Sequence, residues 1–177
     1  AEGRQLRVRQ ALDELQPLAV DEARAERRRD HVLRVPARRG KGRALRLEAH
    51  GALGDTYVPM DAWFLGVPWA GQIKKRGAAS FWYPKNNYTL EFEPLQADLA
   101  ELGLGRKDHL VLISNFDDNA HTRQKLVYDT WAAMVEWSGG DRLVPDSAFV
   151  VVYLNGVYSG LYVAIDHIDD EFIREHG

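Results

Sequence analysis

The chain has 177 residues, of which 45% are hydrophobic and 28% are charged, and this composition excludes a largely disordered protein. It contains no cysteine, so disulfides, thiolate metal sites and a cysteine nucleophile are excluded. No apolar run approaches the roughly 18 residues of a membrane-spanning helix, and the N-terminus lacks a basic region followed by an apolar stretch. We therefore predict a folded domain with no membrane span and no signal peptide in this chain.

The net charge of -3 is unevenly distributed along the chain. Residues 1–50 hold 13 Lys and Arg against 8 Asp and Glu, whereas the remainder holds 10 against 18. The basic clusters at residues 27–29 and 38–41 could attract phosphates or nucleic acid, or they could be a solvated helix face followed by a charged turn. We favour the second interpretation, because no aromatic residues that would stack on bases are interleaved with these charges.

The first part of the chain predicts a helical segment and a hairpin. Residues 1–35 are expected to form a basic segment with one or two helices, interrupted near Pro17 because proline breaks the hydrogen-bond ladder of a helix. Residues 31–35 and 44–49 alternate with a period of two around the turn RRGKG, which is typical of a hairpin. We place a second domain, a sheet-rich lobe, at residues 36–177.

The middle of the chain predicts short strands. Residues 51–72 are rich in Gly and Pro, and residues 88–92 alternate as a strand. Residues 95–102 are expected to form a short helix that ends at Gly103. Residues 109–114 (HLVLIS) are almost continuously apolar, which is typical of a strand buried on both faces or of a core segment.

The longest helix is predicted at residues 120–137, with Asp118 as its N-cap. One apolar stripe consists of Leu126, Thr130, Ala133 and Trp137, and Val127, Trp131 and Met134 lie beside it. Residues 148–154 and 157–165 flank Asn155-Gly156, a strong signal for an antiparallel hairpin. A short helix is predicted after this hairpin, at residues 169–175.

The order of these elements is helix, several strands, helix, hairpin and helix, without a regular alternation of strand and helix. This order predicts an α+β fold, in which helices pack on a mainly antiparallel sheet. No internal repeat is present.

Three polar features could carry chemistry. The small-residue turn at residues 77–80 is similar to a phosphate-cradling loop, but it has one glycine and no complete nucleotide motif. Lys85 could reach bound phosphates as a movable point charge, or it could be a solvent-facing strand lysine, and spacing does not separate the two. Asp117 and Asp118 could bind a divalent cation, although a helix cap explains them more simply. The histidines lack zinc-ligand spacing, so we predict no metal site in the protein itself.

Three segments, taken in order, resemble the CotH kinase family, the spore-coat-protein-H-like atypical kinases. The first segment, RGAASFWYPKNNYTLEF, is similar to that family's Arg-Gly turn and the Pro-Lys-Lys-x-Tyr strand after it. The second, LISNFDDNAHTRQKLVYD, is similar to its helix start, and the third, VVYLNGVYSGLYVAIDHID, is similar to its Tyr-Leu-Asn-Gly hairpin. Together the segments cover about residues 56–177.

This resemblance implies a distant protein-kinase fold, of which the chain is the N-terminal, sheet-rich lobe, with ATP held between this lobe and a second one. It implies that Lys85 contacts the phosphates and acts as the catalytic lysine. Arg76, Gly77 and Ser80 would shape the turn near the nucleotide, and Asp166 would lie near the hinge. ATP and Mg²⁺ are the implied cofactors.

The chain also departs from the family pattern. The departures are Ala78, Ala79, Asn86, Gln124 and Asp166, where the family more often has Asn, Ser, Lys, Asn and Glu. The family's metal-binding and catalytic aspartates lie beyond the final hairpin and helix, in a part that these 177 residues do not include. We therefore expect little or no kinase activity from these residues alone, and the sequence does not decide whether the chain is itself an enzyme.

Our first hypothesis is an ATP-dependent protein Ser/Thr kinase-like domain. The rival is a non-catalytic structural or protein-interaction module of a spore coat or cell-surface assembly, and a basic adaptor that faces nucleic acid is the least favoured option. The expected partner is a protein substrate or a coat or surface protein. An exposed apolar face where a second lobe would dock leaves a homodimer open. By resemblance, the protein would be in the spore coat, secreted or at the cell surface.

Overall fold

The computed structural model describes residues 44–139 and 143–176. The predicted helical segment at residues 1–35 and the first hairpin strand at residues 31–35 lie outside the described residues. The proposed division into a helical segment and a sheet-rich lobe therefore stays a prediction.

The described residues form nine strands and two α-helices. The strands are β1 (Ala44–Ala49), β2 (Val58–Phe64), β3 (Val67–Arg76), β4 (Asn87–Phe92), β5 (Ala97–Asp98), β6 (Arg106–Lys107), β7 (His109–Ile113), β8 (Ser147–Leu154) and β9 (Val157–Asp166). The helices are α1 (Arg123–Ser138) and α2 (Asp170–His176), and single 3-10 turns occur at Ala79–Trp82 and Ala100–Leu102.

Seven of these strands close into a barrel in the order β1, β2, β3, β4, β7, β9, β8. All neighbours are antiparallel except β1 and β8, which pair in parallel and close the ring. The predicted α+β fold is therefore wrong, because the described part is mostly β. A closed sheet buries one face of every strand inside itself, so it does not need a layer of helices to cover that face.

The barrel interior is the main hydrophobic core. Alternate residues of successive strands point inward, as the period of two requires. The buried set includes Leu45, Leu47, Met60, Ala62, Phe64, Ile73, Tyr88, Leu90, Phe92, Leu110, Leu112, Val150, Val152 and Tyr162. The barrel is thus filled by its own side chains.

Helix α1 lies against the outside of the barrel. Its Tyr128 packs against a second small core formed by Val111, Val163 and Ile165 on β7 and β9, and its Val135 is buried. The prediction for β7 is confirmed, because this strand contributes to the barrel interior on one face and to the α1 contact on the other. In the part of the chain that the structure describes, neither helix is long and apolar enough to cross a membrane.

Several local predictions are confirmed and others are not. Helix α1 covers most of the predicted range, and the hairpin of β8 and β9 turns at Asn155 and Gly156, whose φ angles are 51° and 78°. The predicted helix at residues 95–102 is reduced to one 3-10 turn, although Gly103 ends it with a φ of 81°. The apolar stripe of α1 faces away from the barrel, which is the opposite of a helix that covers a sheet with its apolar side.

Candidate functional site

Lys85 lies two residues before β4 and points across the barrel end rather than into solvent. Its ammonium donates hydrogen bonds to the backbone carbonyl oxygens of Ser114 at 3.1 Å and Leu161 at 2.5 Å. The same nitrogen lies 4.4 Å from the centre of the Tyr162 ring. These contacts exclude a freely solvated lysine and fix the position of the charge.

Gly160 makes room for this ammonium. A Cβ atom at position 160 would lie 3.4 Å from Lys85 Nζ, and Gly160 has a φ of 100°, which side-chain-bearing residues rarely adopt. A glycine inside a strand often marks a close approach of another group, and here that group is the lysine side chain.

Lys85 has an unusual electrostatic environment. Its partial burial lowers the pKa of the ammonium below the ordinary value of 10.5, because dehydration disfavours the charged form. Among the described residues, no carboxylate forms an ion pair with it. A lysine ammonium has three N–H donors, and the two carbonyl oxygens use two of them. No described carboxylate neutralises the charge of Lys85, so the ammonium can attract an anion.

A hydrogen-bond network joins Lys85 to the small-residue turn at residues 77–80. The Ser114 hydroxyl donates to the Lys85 carbonyl at 3.0 Å, and the Ser114 N–H donates to Asn87 Oδ1 at 2.7 Å. The Asn87 amide nitrogen then donates to Ser80 Oγ at 3.2 Å. The turn, the start of β4 and the end of β7 are therefore one connected unit.

Gly77 and Arg76 lie at the start of this unit. Gly77 has a φ of 106°, and a Cβ atom there would meet Ser80 Oγ at 2.0 Å, so the turn requires a glycine. Arg76 ends β3 and is paired in register with Asn87. The structure thus brings together four of the five predicted site residues: Arg76, Gly77, Ser80 and Lys85.

Asp166, the fifth predicted site residue, lies elsewhere. It ends β9, five residues after Leu161, so the two Cα atoms are about 16 Å apart at the usual strand rise. Its carboxylate is buried, with Oδ1 2.5 Å from Lys107 Nζ and Oδ2 accepting the Asp146 N–H at 2.7 Å. Asp166 therefore holds a local ion pair and does not contact Lys85.

Asp117 and Asp118 were predicted as a cation site or a helix cap, and the contacts of Asp118 are those of a helix start. Asp118 Oδ2 accepts the Arg123 N–H at 2.9 Å, and Oδ1 accepts the Ala120 N–H at 3.1 Å. The backbone N–H of Arg123 is the main reason why the pKa of Asp118 is lowered. The prediction of Asp118 as the N-cap is wrong, because the N-cap is Thr122, four residues later. Asp118 instead accepts a hydrogen bond from the first turn of α1. Among the described residues, no cluster of three or more His, Asp or Glu could hold a metal ion.

Sequence reasoning missed several members of the Lys85 site. Tyr162, Ser114 and Asn87 support the lysine or the turn, and the carbonyl of Leu161 binds it directly. Gly160 was an available signal, because a glycine inside a strand often marks a close approach of another group. The backbone carbonyls gave no signal, since every residue has one.

An open groove of about 700 Å³ lies at another part of the barrel surface. Its lining includes Arg46, Glu48, Trp63 and Tyr153. None of its described lining residues contacts Lys85, so the groove is separate from the lysine site.

A family model described as CotH kinase protein matches residues 73–177, more than half of the chain. The chain therefore belongs to the CotH kinase family, as the resemblance indicated. The matched range includes the Lys85 site, α1 and the β8–β9 hairpin. A search of curated proteins gave no match.

Proposed function

We propose that this chain binds the phosphates of ATP through Lys85 and forms part of an ATP-dependent protein Ser/Thr kinase. Membership of the CotH kinase family supports the class of activity. One observation carries the proposal for the site, namely that the half-buried ammonium of Lys85 is held by two carbonyl oxygens and has no carboxylate partner among the described residues.

The physical argument rests on charge and position. A hydrogen bond between an ammonium and a phosphate oxygen is roughly twice as strong as a neutral one, and partial dehydration strengthens it further. The two carbonyls hold Nζ in place, so little side-chain freedom is lost when a phosphate binds. The turn at residues 77–80 is fixed to the same unit and lies at the same end of β4.

The described residues do not offer a comparable site for Mg²⁺. Magnesium prefers carboxylate, phosphate and water oxygens in an octahedral arrangement. The nearest candidate by sequence, Asp118, already accepts backbone hydrogen bonds from Ala120 and from Arg123 at the start of α1. We therefore assign no magnesium ligand and no step of phosphoryl transfer to the described residues.

Isothermal calorimetry with ATP tests the proposal. The test compares the 177-residue chain with Lys85→Ala and with a control, Lys125→Ala, which removes a lysine already paired with Asp129 on α1. Loss of one charge-assisted hydrogen bond is worth about 1.5–3 kcal/mol, so Lys85→Ala should weaken binding about 10- to 150-fold. Lys125→Ala should bind like the unchanged chain. Equal affinity of all three proteins would contradict the assignment of Lys85.

A structural or protein-interaction module is the second candidate function. It is favoured by the exposed apolar side of α1, where Leu126, Met134 and Trp137 are all more than half exposed. Absence of ATP binding by the unchanged chain, together with self-association, would support this candidate over the first.

A further inference from the structure

Helix α1 has two apolar sides, and the barrel covers only one of them. Tyr128 and Val135 face the barrel. On a helical wheel with 100° per residue, Leu126, Thr130, Ala133 and Trp137 lie on the opposite side. The exposed fractions are 64% for Leu126, 54% for Met134 and 90% for Trp137. An apolar side of this size is unusual on a helix surface that faces solvent.

The spacing of this outer side is that of a coiled-coil seam. Positions 126, 130, 133 and 137 are separated by four, three and four residues, which is the a/d pattern of a heptad repeat. Such a seam packs against another helix with a matching seam. We propose that a second copy of this chain occupies it, through an antiparallel contact between the two α1 helices.

The seam is complementary to itself when two copies run antiparallel. With the two-fold axis between positions 131 and 132, Leu126 of one copy faces Trp137 of the other, at both ends of the contact. Thr130 then faces Ala133 of the other copy near the centre, where small side chains let the helices approach closely. Every large residue of the seam thus meets an apolar partner, and the antiparallel helix dipoles are favourably arranged.

The area also suits a dimer. The side chains of Leu126, Val127, Met134 and Trp137, which lie on or beside the seam, are all more than half exposed. Together they expose roughly 500 Å² per copy, so a symmetric contact would bury roughly 1,000 Å² in total, the area of a weak but specific interface. The nearby Asp129 does not leave an isolated charge at the edge, because Lys125 pairs with it one turn earlier.

The first test is the molar mass in solution. Sedimentation velocity of the 177-residue chain over a concentration series should show conversion from 20.1 kDa to twice that mass. The double variant Leu126→Glu/Trp137→Glu should stay monomeric at every concentration, because it places carboxylates in the seam. A control variant, Trp82→Glu, changes an equally exposed aromatic residue away from α1 and should dimerise normally. Circular dichroism confirms that each variant is folded.

The second test uses the absence of cysteine from the chain. An equimolar mixture of Thr130→Cys and Ala133→Cys should form a disulfide-linked dimer under mild oxidation, because these positions face each other across the axis. A mixture of Thr130→Cys and Ala132→Cys should cross-link at least ten times more slowly, since Ala132 lies on the flank. A monomer at all concentrations, a dimer unaffected by the Leu126→Glu/Trp137→Glu change, or equal cross-linking in both mixtures would overturn the proposal. None of these outcomes depends on ATP binding.

Discussion

The buried ion pair between Lys107 and Asp166 allows a direct test of the role of Asp166. The side chain of Asp166 is 3% exposed and that of Lys107 is 14% exposed. Asp166 Oδ1 has no hydrogen-bond partner among the described residues other than this ammonium, whereas Oδ2 accepts the Asp146 N–H. The change Lys107→Met keeps the length and apolar stem of the side chain and removes its charge.

The expected loss follows from the burial of both groups. Removing one partner of a buried pair leaves the other charge without compensation, which costs about 3–5 kcal/mol of the free energy of unfolding. Because Lys107 retains some contact with solvent, we expect a value of about 3 kcal/mol. Adding Asp166→Asn should recover most of this loss, since a neutral amide needs no counter-charge and its oxygen can still accept the Asp146 N–H.

Chemical denaturation with urea, followed by far-ultraviolet circular dichroism, measures these differences. ATP affinity should change little in the folded double variant, because Asp166 lies about 16 Å along β9 from Leu161, the residue whose carbonyl oxygen binds Lys85. A loss below about 1 kcal/mol for Lys107→Met, or a double variant no more stable than the single one, would refute the reasoning about the ion pair. A strong loss of ATP affinity in the folded double variant would instead support the hinge role that the family resemblance implies for Asp166.

Two further predictions concern the lysine site. Gly160→Ala should lower the free energy of unfolding by about 1–2 kcal/mol, because alanine is strained at a φ of 100°. The same change should weaken ATP binding, because the added methyl group crowds Lys85. The control Gly54→Ala, at a position with open space, should be nearly neutral in denaturation experiments. ATP affinity should fall as the pH rises toward 10.5, because the ammonium form binds phosphate and dehydration lowers the pKa of Lys85 below that value. Calorimetry from about pH 7 to about pH 10 measures this change, and a constant affinity would exclude a titrating lysine contact.

Elements with strong local signals were predictable from the sequence. The turn at Asn155 and Gly156 needs two left-handed residues, and Asn-Gly provides them at low cost. Helix α1 follows from its periodicity and from the stop at Gly139, whose φ is 63°. The continuous apolar run of β7 predicted burial on both faces, and the structure confirms it.

The closure of the barrel was not predictable in this way. The parallel pairing of β1 with β8 joins residues about 100 positions apart, for example Leu45 with Val152, and no local pattern specifies it. The orientation of α1 was also missed, because the helix is apolar on two sides and periodicity does not show which side meets the barrel.

The candidate site was predicted in part. A family resemblance selected Lys85 and the turn at residues 77–80, and the structure places them in one hydrogen-bonded unit. Their nucleotide contact stays a prediction. The carbonyl oxygens of Ser114 and Leu161 depend on how three strands meet, so sequence patterns could not identify them.

Closure of the barrel also limits how this protein can assemble. Each of its seven strands has a hydrogen-bonded neighbour on both sides for at least part of its length, so no strand of the barrel presents a full-length open edge to an added strand. An added strand could pair only with the short stretches that the register leaves unpaired, such as residues 157–162 of β9 on the side of β7, and growth into sheet-based fibres from the native fold is disfavoured for the same reason. Recognition therefore depends mainly on side chains of the outer surface, so the identity of a few exposed residues, more than backbone pairing, determines which partner is accepted.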